Sequence, residues 1–148
     1  MEPSKVYFSD LRALPGTNLL IKLQKLAVAA GLDNLPLDKR FAAIKIHFGE
    51  PGNLSYLRPN YAMVLADAIR ERGGKPFVTD CNTLYAGRRK DALEHIDSAF
   101  ENGYTPYSCG CHVIIADGLK GTDDVEVPVA GGEYVKNAKI GRAIMDAD

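Results

Sequence analysis

The chain has little of what would reveal a function at first sight. Its net charge is only −1 over 148 residues, so no charge excess favours nucleic acid or an anionic membrane as a partner. No apolar run approaches the roughly 20 residues that cross a bilayer. The opening Met1-Glu2-Pro3-Ser4-Lys5 lacks the basic-then-apolar order of a signal peptide. These absences point to the cytoplasm. Cysteine is scarce as well: Cys81, Cys109 and Cys111 are an odd and low number for a disulfide scaffold. Only Gly110 separates the last two, too little for an easy disulfide. Iron–sulfur clusters usually take four thiolates, which this chain alone does not supply. The three therefore read as reduced thiols, one or two of them buried, with a metal-binding pair completed by His112 as the alternative. There is no Walker sequence, no G-x-S-x-G elbow and no H-E-x-x-H, and Gly131-Gly132 lacks the strand-to-helix setting of a dinucleotide fingerprint.

What remains is an ordinary globular composition, 46% hydrophobic and 25% charged, in a length suited to one domain over residues 1–148. Val6-Tyr7-Phe8 reads as a short first strand. A helix capped by Thr17 or Asn18 carries Leu19, Leu20, Leu23, Leu26, Ala27 and Ala30 at helical spacing and ends at Gly31. Phe41 to His47 is apolar apart from Lys45, as in a strand covered on both faces. A second helix follows Pro59, with Tyr61, Val64, Leu65, Ala68 and Ile69 as its buried stripe, and Gly73-Gly74 stops it. Pro76 to Thr79 is the next strand. The third helix begins after Gly87, buries Leu93, Ile96 and Phe100, and leaves His95 toward solvent. His112 to Ala116 is a further strand. Val125 to Val129 and Glu133 to Lys136 alternate around Gly131-Gly132 as a hairpin, and Ile140 to Asp148 reads as a short helix. Strand–helix–strand repetition predicts an α/β fold: a mainly parallel sheet with helices on both faces, plus a small antiparallel hairpin. The chain stops where such a pattern would lead into another strand, which reads as a fragment of a longer protein.

The candidate site lies where apolar runs break into polar clusters, because the carboxyl ends of parallel strands open into a crevice. Lys45 and His47 share one side of their strand, about 7 Å apart by strand rise, with Glu50 just beyond. A lysine in an apolar strand needs a partner. It could hold a phosphate or carboxylate while His47 acts as general base or metal ligand; the structural alternative is a snorkelling lysine and a histidine capping a loop. Asp80, Asn82 and Thr83, with Tyr85, Arg88 and Arg89 downstream, offer oxygen ligands for a divalent cation and positive charge for an anion at a helix start. The alternative is an Asx turn with solvated arginines. Asp117-Gly118 ends a third strand, as a site carboxylate or as a common turn. Lys45, His47 and Asp80 are the candidate catalytic residues. Glu50, Asn82, Thr83, Arg88 and Asp117 are candidate ligand-binding residues, and His47, Asp80 and Asp117 a candidate metal set.

Four segments together carry a family resemblance: Ile44-Lys45-Ile46-His47-Phe48-Gly49-Glu50, Gly73-Gly74-Lys75-Pro76-Phe77, Thr79-Asp80-Cys81-Asn82-Thr83-Leu84-Tyr85-Ala86-Gly87-Arg88, and Val113-Ile114-Ile115-Ala116-Asp117-Gly118. From about Lys5 to the C-terminus the chain resembles the domain of unknown function DUF362. That domain often occurs in proteins with a ferredoxin-like segment binding [4Fe–4S] clusters, and its members generally continue into a second half. The resemblance thus implies an iron–sulfur-associated protein whose cluster is not expected on this chain alone. Cys81 stands where the family would have Thr, and Cys109 and Cys111 lie in a segment usually free of cysteine. The resemblance supports architecture more than reaction. Two functions follow from the sequence: a domain binding a divalent metal or anionic small molecule at its strand ends, or a docking or remnant module that self-associates or needs a missing C-terminal half.

Overall fold

A computed structural model describes residues 3–148. Three parallel strands form the central sheet in the order β1 (Phe41–Lys45), β2 (Lys75–Asp80), β3 (His112–Ile115). Ala43 lies opposite Phe77, and Phe77 opposite His112. Helix α2 (Pro59–Glu71) connects β1 to β2, and α3 (Ala92–Glu101) with the one-turn α4 (Pro106–Cys109) connects β2 to β3. Helix α1 (Leu19–Ala29) precedes the sheet. A separate antiparallel pair, β4 (Asp124–Pro128) and β5 (Asn137–Gly141), follows it and leads into α5 (Arg142–Met145). The expected mixed α/β architecture is present.

Local chemistry sets most of these boundaries. Asn18 caps α1 by accepting from the Ile21 amide, and Asp91 caps α3 by accepting from Leu93 and Glu94. Pro59 opens α2, where its missing N–H is harmless. Thr105 and Ser108 form a capping box for α4. The core lies between the sheet and α2–α4: Phe48, Ala62, Ala66, Val78, Ala99, Tyr104, Cys109, Cys111 and Ile115 are buried together. On the opposite face, Ala143 of α5 and Ala147 just beyond it border a shallow concavity of about 200 Å³ with Phe41, Phe77 and Ile114.

Several local expectations need correction. Val6-Tyr7-Phe8 is not a strand; Val6 and Phe8 are exposed and the segment pairs with nothing among the described residues. Three apolar residues offer too few ladder bonds to hold an edge against water. The hairpin is real, but its second strand is Asn137–Gly141 rather than Glu133 to Lys136. The turn closes tightly, with Val129 N–H donating to Lys136 O at 2.8 Å and the Lys136 ammonium held on Gly132 O, which takes residues 133–136 into the loop. In α2 the buried face is Ala62, Ala66, Ala68 and Ile69; Tyr61, Val64 and Leu65 are only half-buried. In α3 the buried face is His95, Ser98 and Ala99, while Leu93 and Phe100 are exposed. Small residues let a helix approach the sheet closely, and His95 finds polar partners at the strand ends.

Candidate functional site

Because β1, β2 and β3 are parallel, their carboxyl ends share one rim of the sheet. Two bonds prolong the ladder past the strands, Ile46 N–H to Thr79 O at 3.0 Å and Ala116 N–H to Asp80 O at 2.9 Å. The ladder therefore fixes the positions of Lys45, Asp80 and Asp117 at that rim.

Asp80 is the centre of the arrangement. It is 5% exposed. Its Oδ1 accepts from the Lys45 ammonium at 2.8 Å and from the Cys81 amide at 2.9 Å. Its Oδ2 accepts from Arg89 Nη1 at 3.2 Å and faces His95 Nε2 at 3.7 Å. Burial by itself raises the Asp80 carboxyl, but neighbouring His95, Lys45 and the Cys81 amide outweigh it and hold the group at about 2. Asp80 is therefore an anion at neutral pH, buried and surrounded by cation-forming side chains from three elements.

Arg89, at 3% exposed, joins Asp80 to a second carboxylate. Its Nε donates to Glu50 Oε1 at 2.9 Å and its Nη2 to the Tyr85 hydroxyl at 2.7 Å, while that hydroxyl donates to Glu50. The Arg89 and Tyr85 hydrogen bonds, against a smaller effect of burial, hold Glu50 below its usual range. This cluster fastens the β1–α2 connection to the β2–α3 connection. Gly49, at φ +89°, permits the turn that presents Glu50, and Asn102 Nδ2 anchors the same turn by donating to Phe48 O at 3.0 Å.

The other strand-end carboxylate has different company. Asp117 is buried and accepts from the Asn82 backbone N–H and from Asn82 Nδ2, each at 3.0 Å. Asn82 Nδ2 also donates to Gly118 O at 2.9 Å, and Asn82 Oδ1 lies 3.3 Å from His95 Nδ1. Through Asn82 and His95, Asp117 is linked to Asp80.

The structure thus gathers Lys45, Glu50, Asp80, Asn82 and Asp117. His47 is exposed, its Nδ1 accepts from Gly49 N–H at 2.9 Å, and among the described residues it makes no hydrogen bond or ion pair with Glu50, Asp80 or Asp117. Thr83 hydrogen-bonds locally to Tyr85 O at 3.2 Å. Arg88 turns outward into a two-pronged pair with Glu101, at 2.7 and 2.8 Å, so the arginine at the strand ends is its neighbour Arg89. His95, expected in solvent, is fully buried. Nothing in the local sequence signals its inward placement, which is set by Asn82 and Asp80 across the helix. Among the described residues no three His, Cys, Asp or Glu side chains converge to hold a metal ion. The oxygens of Asp80 and Asp117 are instead taken up by nitrogen donors, so the donor set does not fit a divalent cation. The thiols are free: Cys109 and Cys111 lie in the core, and Cys81 is half-buried at the end of β2.

An α/β domain with a buried, charge-paired carboxylate at its parallel strand ends is what these observations define. The family model described as "Domain of unknown function (DUF362)" matches residues 42–148, and the chain belongs to that family. The match begins at β1, later than the start near Lys5 expected from the sequence. No curated protein and no solved structure matches.

Proposed function

We propose that the domain binds a small anionic molecule, a carboxylate or an oxyanion, at the ends of β1 and β2. The supporting observation is the pair of cations held against one buried carboxylate. Lys45 and Arg89 converge on Asp80 while His95 faces it, and the Lys45 side chain remains about half exposed. A flexible, strongly hydrated ammonium that rests on a buried carboxylate can turn to an incoming anion. Arg89 is confined between Glu50 and Asp80 and keeps Asp80 ionised, and His47 stands on the solvent side.

Thermal unfolding tests this with sulfate, phosphate, oxalate and citrate, each compared with chloride at equal ionic strength. A ligand at 100 times its Kd adds about 2.7 kcal/mol, a shift of several degrees for a domain of this size. The expected result is a rise in Tm with at least one multivalent anion that disappears in Lys45→Met. Equal responses to chloride, or an undiminished rise in Lys45→Met, would rule the site out.

A second reading, a docking module, is favoured by a separate observation. Val6, Phe8, Leu11, Leu14, Leu54 and Leu84 are each more than 70% exposed, apolar area that burial against another protein surface would remove from water. Light scattering after size-exclusion chromatography distinguishes them: a monomer that binds an anion supports the first reading, and an anion-insensitive oligomer the second.

A further inference from the structure

The two ring nitrogens of His95 have different surroundings. Nδ1 faces Asn82 Oδ1 at 3.3 Å. The Asn82 amide cannot be turned round, because its Nδ2 already donates to Asp117 Oδ1 and Gly118 O. Its oxygen must face the ring, and an oxygen accepts, so Nδ1 carries the hydrogen. A neutral imidazole in that tautomer has a bare lone pair on Nε2. Yet Nε2 points at Asp80 Oδ2 across 3.7 Å and has no hydrogen-bond partner. A ring nitrogen without a partner and a carboxylate oxygen face one another in a buried space.

The groups facing this gap come from every neighbouring element. Asp80 lies at the end of β2, Lys45 at the end of β1 and Arg89 in the β2–α3 connection. Asp117 stands behind Asn82, and the Phe48 ring closes another side with its centroid 5.7 Å from that of His95. On α3 itself, Glu94 pairs outward with Lys90, and Asp91 is occupied with capping the helix.

We propose that anion binding at the strand ends takes up one proton on His95 Nε2, so that Asp80 exchanges Lys45 for His95 as its partner. This rests on the reading that Lys45 is the residue that meets the anion. When the ammonium leaves Asp80, the carboxylate keeps the Cys81 amide and Arg89, which Glu50 shares, and loses one of its two charged donors. A buried charge that loses a partner is strongly destabilised, and Nε2 is already aimed at the oxygen that needs a donor. The proton comes from solvent and is returned to it on release; no other bond forms or breaks. Asn82 is the positioning residue, since it fixes the tautomer that leaves Nε2 free.

Sulfate is the probe, because it is fully ionised around neutral pH and any proton bound belongs to the protein. The chain has only three histidines, so their ring nitrogens can be resolved by NMR on nitrogen-15-labelled protein at about pH 7.5. The expected result is a His95 ring protonated at Nδ1 alone without sulfate, and at both nitrogens at saturation. Sulfate affinity should fall as pH rises, approaching about tenfold per pH unit for one coupled proton. In His95→Gln that dependence should flatten, which separates His95 from the exposed His47. Saturating sulfate that leaves the His95 ring unchanged would overturn the coupling while preserving the anion site. Absence of any sulfate binding would overturn the coupling, and absence of a response to phosphate, oxalate and citrate as well would overturn the anion site.

Discussion

Arg89 donates to Asp80 at 3.2 Å, and both side chains are almost wholly withdrawn from water. A guanidinium and a carboxylate in such a place depend on each other, because removing either leaves the other with only a more exposed ion partner, Glu50 for Arg89 and Lys45 for Asp80. Arg88, the next residue back, is exposed and among the described residues its side chain pairs only with Glu101. The two arginines are adjacent in sequence but have opposite physical roles.

Arg89→Met is therefore expected to destabilise the fold by about 3–5 kcal/mol, the range for breaking a buried pair from one side. Arg88→Met should leave the urea midpoint within error of the parent, since exposed ion pairs contribute little. Urea denaturation followed by circular dichroism would compare them. Similar midpoints for the two variants would mean that the Asp80 cluster holds nothing together.

Acid should weaken the protein through Asp80. Its carboxyl lies at about 2 in the folded protein against 3.8 as its ordinary value, so the folded state binds its proton less readily. The corresponding stability is fully present above the unfolded value and is lost as pH falls from about 4 toward 2. Its size is on the order of 2 kcal/mol. Denaturation at a series of pH values should show a shallower decline in Asp80→Asn over that window; an identical slope would contradict the assignment.

Backbone geometry gives a pair of opposite expectations. A Cβ at Gly49 would come within 2.6 Å of Asn102 Nδ2 and 2.8 Å of the Tyr56 ring at a φ of +89°, so Gly49→Ala should destabilise by about 1–3 kcal/mol. Lys39 occupies the left-handed region at φ +62°, where a side chain is disfavoured. Lys39→Gly should be neutral or stabilising by up to about 1 kcal/mol. Thermal melts of both variants would show the signs directly.

Thiol labelling should separate the cysteines. Burial raises all three thiols, Cys111 to about 11. Only Cys81 has appreciable exposure, while Cys109 and Cys111 are closed into the core. A thiol reagent at neutral pH should modify Cys81 first and the other two only as the protein unfolds. Three equal fast rates in the native protein would be incompatible with this core.

The strand-end site was legible because an apolar run that breaks into charge is a pattern of the backbone itself. Lys45, Asp80 and Asp117 are brought to one rim by parallel register alone. Arg88 and Arg89 could not be told apart in the sequence, since a turn decides which of two neighbouring side chains points inward. His95 was missed for a different reason. Helical periodicity looks for apolar residues, and α3 turns small and polar ones, His95, Ser98 and Ala99, toward the sheet while exposing Leu93. That choice depends on Asp80 and Asn82, residues outside the helix. The second strand of the hairpin slipped along the chain because its turn is set by bonds between Val129, Gly132 and Lys136 that alternation does not encode.

The sheet pairs each strand with another 34 or 35 positions away, as Phe41 with Lys75 and Phe77 with His112. Parallel pairing of this kind is a slow step, because a long loop must close before any ladder bond rewards it. The Asp80 cluster draws on β1, β2, the connection after it and α3, so it is complete only once these distant parts have met. The bonds that mark out the site should then be among the last to form and the first to open. Substitutions at Arg89 or Asp80 should accelerate unfolding and scarcely alter the refolding rate, which makes the site a kinetic latch on the finished domain.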